Sequence, residues 1–340
     1  MSGAADRAPA VSVLVAARDA AATLPAALRS VARQDFADWE CVVVDDHSVD
    51  GTRAVAEGFA ARDPRFRVVA APARGVVAAR NAGLDCCRGR RIALFDADDL
   101  MHRRRLGRQL AALDAAPALD GVGCHVRYFP RAAVGPGRAD YEAWLNAVTT
   151  PERVALDRFR EMPLGHPTLL LDAGLLRRHG WRERGWPEDW DLLLRMLDGG
   201  ARLGVVPERL HSWRLGPASL SATAPAYALE AFARCRAAFL AEQVLAGRED
   251  YVLWGYGSSG KTLRASLLEH GLAPSHVVEI HPSRIGQEVD GAPVVAPSAL
   301  PGLRGRVVLV AVAVPQARRL IAAALDDLGF VEGADWWSAA

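Results

Sequence analysis

The chain has 340 residues, of which 51% are hydrophobic and 24% are charged, with 41 basic side chains against 40 acidic ones. This balance indicates neither a disordered protein nor a surface for polyanions, so nucleic acid is not an expected partner. The five cysteines form no CxxC pair, no apolar run approaches roughly 18 residues and the N-terminus lacks a signal-peptide pattern, so we expect a cytoplasmic protein without structural zinc or a transmembrane segment.

Strand-like and helix-like segments alternate along the first half of the chain, which predicts an α/β fold with a mostly parallel sheet. The predicted strands are 11–17, 40–46, 65–71, 90–97 and one near 121–129. Helices are predicted between the first two strands, between the next two, and as a basic amphipathic segment after Leu100. A loop-rich segment is expected after residue 129.

A second strand-first pattern begins at Tyr251, after one predicted long helix over 225–247. Because 340 residues exceed what one hydrophobic core usually organises, we expect two domains. We place a first domain at 1–224, a helical linker at 225–249 and a smaller Rossmann-like α/β domain at 250–340.

Acidic residues collect where two strands of the first domain end. Asp45 and Asp46 close one strand, and Asp96, Asp98 and Asp99 close another. A single Asp in such a place is typical of a turn or a helix N-cap. Three carboxylates within four residues repel each other unless a cation or hydrogen-bond donors face them. Mg²⁺ or Mn²⁺ would suit this cluster, because both prefer carboxylate and phosphate oxygens.

Four segments, in this order, resemble glycosyltransferase family 2, whose members have the GT-A fold of nucleotide-diphospho-sugar transferases. The segments are the opening stretch 11–52, GVVAARNAGL (75–84), DADD (96–99) and WPEDWDLLLRM (186–196). The likeness covers about residues 11–221. It implies an inverting glycosyltransferase that moves a sugar from a nucleotide-diphospho-sugar to an acceptor hydroxyl with the help of a divalent metal, Mn²⁺ or Mg²⁺.

The resemblance also implies roles for individual acids. Asp46 would hydrogen-bond the nucleobase and Asp98 the ribose, while Asp99, together with Asp98, would hold the metal against the diphosphate. Asp189 matches the general base of the family, which takes a proton from the acceptor hydroxyl.

Other residues near these motifs are weaker candidates. Ala16 and Arg18 would line the nucleotide-sugar site at the end of the first strand. Arg80 either packs through its stem or contacts the phosphate or base. His211 is a weak substitute for a metal-ligating His where Gly216 and Pro217 replace a frequent His-Pro pair of the family, and a lone His of this kind, like His166, is typically structural.

The resemblance favours a UDP-sugar as donor, whereas the acceptor stays open between a glycan, a lipid-linked molecule and a small molecule. Association with a membrane surface is compatible with these acceptors. The competing hypothesis is a noncatalytic nucleotide-sugar sensor with a degenerate transferase domain. The complete set of acids favours the enzyme, because a sensor does not need a base on the acceptor side.

The segment VLWGYGSSGKT (252–262) fits two phosphate-binding patterns, the Walker A loop and the dinucleotide fingerprint. No apolar strand downstream ends in the acid that a P-loop nucleotidase requires, so the Lys261 match is interpreted as accidental. Gly255, Gly257 and Gly260 either form a nucleotide site or serve a tight strand-to-helix turn. The segment 250–340 is similar to the small nucleotide-sugar-binding domain of sugar acyltransferases, which implies an accessory nucleotide site at these glycines.

Overall fold

The computed structural model describes residues 7–216 and 219–340, so Pro217 and the first six residues lie outside the description. The chain divides into two compact units. The first unit comprises the chain up to Val154, Pro163–Glu183 and Glu188–Ser219. The second unit comprises Ala155–Met162, Arg184–Pro187 and Leu220–Ala340.

The first unit contains a mixed eight-stranded sheet. Its strands are β1 (Val11–Ala17), β2 (Trp39–Asp45), β3 (Phe66–Ala70), β4 (Arg91–Asp96), β5 (Leu100–Met101), β6 (Gly121–Phe129), β7 (Leu170–Asp172) and β8 (Leu203–Arg214). Their spatial order is β3-β2-β1-β4-β7-β6-β8-β5. The first four strands are parallel to one another, and β7 runs antiparallel to both β4 and β6. The predicted α/β class is confirmed.

Between residues 7 and 198 the structure has eight α-helices. They are α1 (Leu24–Ala32), α2 (Thr52–Ala60), α3 (Val76–Cys86), α4 (Arg105–Ala115), α5 (Pro136–Leu145), α6 (Pro151–Asp157), α7 (Ala173–His179) and α8 (Glu188–Asp198). The expectation of loops after residue 129 is wrong, because α5 and α6 lie there. Both begin at a proline, whose fixed φ suits the first helical position.

The parallel strands bring their carboxyl ends to one edge of the sheet. Every residue of β2 is buried, and β1 is buried except at Ala16, because helices cover both faces. In α1, Leu24, Leu28 and Val31 face the core at the predicted helical spacing. The register aligns Ala16 with Asp96 and Ala17 with Asp45, so the acids that end β2 and β4 flank the end of β1.

The second unit contains a smaller six-stranded sheet of order β11-β12-β10-β9-β13-β14. Its strands are β9 (Asp250–Trp254), β10 (Ala273–Val278), β11 (Glu288–Val289), β12 (Ala292–Val295), β13 (Val308–Val310) and β14 (Trp336–Ser338). Only β11 is antiparallel to its neighbour among these described strands. The helices are α9 (Leu220–Thr223), α10 (Leu229–Gln243), α11 (Ser258–Leu268) and α12 (Pro315–Asp327).

The segment predicted as one long helix is shorter in the structure. A short 3₁₀ helix occupies Pro225–Tyr227, and α10 ends at Gln243 within the second compact unit. The domain limits proposed from the sequence stay a prediction. Within residues 7–216 and 219–340, no helix combines the length and apolar character needed to cross a membrane.

Candidate active site

Asp46, directly after β2, connects the end of β1 with the loop that follows β3. Its backbone N–H donates to the carbonyl of Ala17 at 2.8 Å, and its carboxylate accepts from the N–H of Gly75 at 2.7 Å. Gly75 precedes α3 with φ of 128°, a conformation that favours glycine. Arg18 is exposed directly after β1, with its guanidinium 3.8 Å from the Asp19 carboxylate. The predicted nucleotide residues Ala16, Arg18 and Asp46 therefore share one edge of the sheet.

The DADD segment divides into two kinds of carboxylate. Asp96 and Asp98 are partly exposed, whereas Asp99 is fully buried. Desolvation raises the pKa of Asp96 to about 7, against the nearby Arg80 cation, which lowers it. Desolvation and then the charge of Asp99 raise the pKa of Asp98 to about 6. Both carboxylates thus lie where a cation would relieve repulsion between them.

Asp99 is held inside the protein by two partners. One carboxylate oxygen lies 2.7 Å from Nε2 of His211, and the other accepts from the backbone N–H of Arg214 at 2.6 Å. The fully buried Arg105 lies 3.2 Å from Nδ1 of His211 and also donates to the carbonyl of Leu94. An arginine only donates, so Nδ1 must accept, and the shared proton lies between Nε2 and Asp99. Burial lowers the pKa of His211 and raises that of Asp99, which fits one proton for the pair.

This arrangement makes Asp99 a structural anchor of the loop, because each of its oxygens has a protein partner. The role of Asp99 as a metal ligand, which the resemblance implies, stays a prediction. His211 is likewise internal, as a structural histidine would be. The N–H at Nε of Arg214 donates to the carbonyl of Asp98 at 2.6 Å, which ties the same loop to the end of β8.

Asp98 and Asp96 fit a divalent cation better. Apart from its own backbone N–H, the Asp98 carboxylate has no hydrogen-bond donor among the described residues. No group of three or more His, Cys, Asp or Glu side chains within the described ranges forms a complete cage for a metal. Mg²⁺ and Mn²⁺ commonly bind through one or two carboxylates and take their other ligands from water and substrate phosphates. The residues present suit that mode of binding.

Arg80 connects the acidic loop to the start of α8. Its Nη1 lies 2.5 Å from a carboxylate oxygen of Glu188, and its Nη2 lies 3.7 Å from Asp96. The Arg80 side chain is only 11% exposed. The guanidinium therefore bridges two carboxylates on different elements, and a direct contact of Arg80 with a nucleotide stays a prediction.

Three acidic residues lie in the first turn of α8, and they differ in their hydrogen-bond and ion-pair partners. Glu188 is paired with Arg80, while the fully buried Asp191 accepts from Arg182 and Arg195 at 2.8 and 2.7 Å. Asp189 is partly exposed and accepts from the adjacent backbone N–H of Trp190 at 2.8 Å. Desolvation and then the Glu188 charge raise the pKa of Asp189 to about 7. Asp189 is thus the acid of this motif best suited to accept a proton near neutral pH.

Sequence reasoning missed three contributors to this region. Asp96 was placed in the acidic cluster but was given no role, although it is the first acid of the D-A-D pattern at 96–98. Glu188 and Arg214 act through partners that are 108 and 116 residues away in sequence, so no local pattern could reveal them.

The buried anchor predicts a stability effect. Asp99→Asn should lower the free energy of unfolding by about 3 kcal/mol, because the single carboxamide oxygen cannot accept from both neighbours and one buried donor is left unpaired. Thermal unfolding of the full chain measures this as a fall in Tm of several degrees. Asp98→Asn is the matched control and should leave Tm almost unchanged. A Tm equal to that of the wild type in Asp99→Asn would contradict the anchor.

The fold and the acidic edge of the first unit define a glycosyltransferase of the GT-A type. The sequence profile of glycosyl transferase family 2 matches residues 12–166. The succinoglycan biosynthesis protein ExoO of Rhizobium meliloti (strain 1021) is 32% identical over 257 residues, which covers 71% of each chain. The chain belongs to glycosyltransferase family 2.

Solved structures show the same fold at lower sequence identity. The S. aureus TarS fragment 1–349, in complex with UDP-GlcNAc, aligns with a TM-score of 0.56 and 20% identity over 76% of this chain and 72% of that one. The mannosyltransferase PcManGT from Pyrobaculum calidifontis, in complex with GDP-Man and Mn²⁺, aligns with a TM-score of 0.51 and 21% identity over 78% and 70%. The predicted GT-A fold is confirmed.

Proposed function

We propose that this glycosyltransferase transfers a sugar from a nucleotide-diphospho-sugar to an acceptor hydroxyl with inversion, and that Asp189 is its general base. The observation that carries the proposal is the position of Asp189. Its charge interacts with Arg80 and Asp96, so it lies near the acidic loop, and its two acidic neighbours in α8 are already paired with arginines.

The donor would lie across the carboxyl ends of β1, β2 and β4. The free lone pairs of Asp46 would accept from the nucleobase, and Ala16 and Arg18 would line the same edge. Asp98 would face the ribose and diphosphate. A UDP-sugar is the favoured donor, a choice supported by the UDP-GlcNAc complex of TarS, whereas the GDP-Man complex of PcManGT supports the alternative base.

The carboxylates of Asp98 and Asp96 would hold a divalent cation, for which the Mn²⁺ complex of PcManGT is a precedent. Such an ion supplies Lewis-acid stabilisation of the leaving diphosphate when bound. The chain itself positions these groups. Arg214 and Asp99 fix the backbone of the loop, and the Arg80 cation lowers the pKa of Asp96, which favours the ionised carboxylate.

Asp189 would take the proton of the acceptor hydroxyl as its oxygen attacks the anomeric carbon. The base and the diphosphate then lie on opposite faces of the sugar, which gives inversion in a single displacement. Because the pKa of Asp189 is raised to about 7, turnover should increase as the pH rises through 7 and the carboxylate loses its proton.

The acceptor is proposed to be a growing glycan or a lipid-linked saccharide, a class supported by the succinoglycan role in the name of ExoO. A small-molecule acceptor is the alternative. Assembly of such a saccharide would place the protein in the cytoplasm, at the membrane surface when the acceptor is lipid-linked.

Metal-dependent hydrolysis of nucleotide sugars tests the proposal without knowledge of the acceptor. Purified full-length protein is incubated with Mn²⁺ and a panel of UDP-, GDP- and dTDP-sugars, and release of the nucleoside diphosphate is measured. Hydrolysis of one donor, abolished by EDTA, supports the enzyme and names its base and sugar. Tight binding of a nucleotide sugar that is accompanied neither by hydrolysis nor by transfer to any sugar acceptor would favour the sensor instead.

We propose as a second, accessory function that the second unit binds a nucleotide. The supporting observation is a cavity of about 240 Å³ at the carboxyl ends of β9, β10 and β12. Val277, Val289 and Val294 form its apolar wall, and Lys261 and Glu279 supply charge. This volume lies below the roughly 300–1,000 Å³ of typical ligand pockets, so it would suit one nucleoside rather than a dinucleotide.

The three glycines of this loop differ in their surroundings. A Cβ on Gly260 would lie 2.1 Å from the carbonyl oxygen of Gly255, and one on Gly255 would meet Val312 at 2.5 Å. Gly257 has nothing within 4 Å of such an atom and has φ of −77°. A side chain would therefore fit at Gly257, whereas close packing excludes one at Gly255 and Gly260.

Lys261→Ala should leave Tm and sugar transfer unchanged while it weakens nucleotide binding to the second unit about tenfold, because one charge-assisted contact is lost. Hydrogen exchange of peptides spanning 256–264 and 277–289, with UDP, UDP-GlcNAc, ATP or NAD added, measures that binding. Lys261→Arg, which keeps the charge, is the control. If nucleotide protects these peptides in Lys261→Ala as strongly as in the wild type, the proposed site is contradicted. If the wild type hydrolyses ATP and Lys261→Ala does not, the segment is a Walker A loop after all.

A further inference from the structure

His166 lies next to the acidic loop of the first unit. It opens the short 3₁₀ helix His166–Thr168, which leads into Leu169 and β7. The carbonyl of Leu169 accepts from Leu94 of β4 at 2.8 Å, and the two strands run antiparallel. Because β4 proceeds from Leu94 toward Asp96 while the partner segment runs back from Leu169, the segment His166–Thr168 lies beside the end of β4, where the DADD segment begins.

The protonation state of His166 is fixed by Trp181. The indole N–H of Trp181 donates to Nε2 of His166 at 3.1 Å. An indole nitrogen never accepts, so Nε2 carries no proton and the neutral ring is protonated at Nδ1. Burial and the Arg80 cation hold the pKa of His166 well below its usual value, which keeps the ring neutral.

Trp181 is itself held in place by the Arg-Asn motif. The side chain of Asn81 donates to the carbonyl of Trp181 at 2.9 Å and accepts from its N–H at 3.0 Å. The Arg80 guanidinium lies 5.9 Å from the indole centroid. One motif therefore positions both the bridge between the two acidic elements and the residue that orients His166.

The Nδ1–H of His166 has no hydrogen-bond partner among the described residues, although the side chain is only 3% exposed. Native proteins pair nearly all buried donors, since an unpaired one costs free energy, so a donor of this kind requires a partner. A neutral N–H in the field of Arg80 favours an oxygen acceptor, such as a hydroxyl group.

We infer that the Nδ1–H of His166 donates to a hydroxyl of the transferred sugar and selects the donor by that hydroxyl. The inference rests on the proposed function. The transferred sugar must lie between the diphosphate at the acidic loop and the base in α8, and Arg80 spans these two elements through Asp96 and Glu188. The short helix of His166 packs against β4, which ends at Asp96, and the Arg80 charge acts on the His166 ring, so we place His166 at the border of that space.

Two substitutions separate the two ring nitrogens. His166→Asn places an amide N–H where Nδ1 stands, whereas His166→Gln places an amide where Nε2 stands and removes the inferred donor. The kcat/KM for donor hydrolysis is compared for the preferred nucleotide sugar and its monodeoxy analogues in the full chain. For one monodeoxy analogue, the kcat/KM of the wild type and of His166→Asn should be about tenfold lower than for the parent nucleotide sugar. The kcat/KM of His166→Gln should be the same for that analogue and for the parent.

Trp181→Phe provides a second measurement that leaves His166 intact. It removes the indole donor, lets the imidazole proton move to Nε2 and should reduce the same discrimination. Because the comparison is a ratio of kcat/KM values within one folded variant, a lower Tm caused by the lost indole does not affect it. Discrimination equal to the wild type in both His166→Gln and Trp181→Phe would overturn the inference. The proposed function fails separately, when the wild type hydrolyses no nucleotide sugar at all.

Discussion

Asp189→Asn is expected to lower turnover at least about 10²-fold while the affinity for the donor stays nearly unchanged. The carboxamide keeps the shape of the side chain and can still accept from the Trp190 N–H, but it cannot take a proton. Donor affinity is measured by isothermal titration with Mn²⁺, and turnover with an accepted saccharide. The rising limb of the pH profile near 7 should disappear together with the activity.

Glu188→Gln serves as the comparison, because Glu188 is a neighbour of Asp189 that pairs with Arg80. It should alter donor affinity and turnover together, since it disturbs the bridge between α8 and the acidic loop. If turnover stays near normal in Asp189→Asn, and the rise of turnover with pH is lost in Glu188→Gln, the general base is Glu188 instead.

Asp98→Asn is expected to abolish metal-dependent donor binding and to reduce turnover by several orders of magnitude. The partly exposed carboxylate loses the charge that would hold a cation against the diphosphate, whereas the loop backbone stays fixed by Asp99 and Arg214. Titration of the donor with and without Mn²⁺ measures the loss. Tm should remain that of the wild type, which distinguishes this substitution from Asp99→Asn.

The two substitutions together test which acid of the DADD segment serves the metal. If Asp99→Asn folds normally and loses metal-dependent binding while Asp98→Asn retains it, Asp99 is the metal ligand, as the resemblance implies, and is not an anchor of the loop. The opposite pattern supports Asp98 as the ligand and Asp99 as the anchor.

Much of the first unit follows from local sequence. The continuous apolar character of β1 and β2 and the spacing of Leu24, Leu28 and Val31 determined a covered parallel sheet, because both faces of such strands must be buried. The order of four motifs determined the reaction class. The helices α5 and α6 were missed because the segments around their opening prolines have the composition of loops.

The sequence by itself determined that acids meet at one sheet edge and that the chain belongs to the glycosyltransferases. Only the tertiary structure decided which of those acids faces outward. Asp98 and Asp99 are adjacent and chemically identical, yet His211 and Arg214, more than 110 residues away, take both oxygens of Asp99. Burial and partners, which depend on contacts remote in sequence, separate a carboxylate that anchors a loop from one that is available to a ligand.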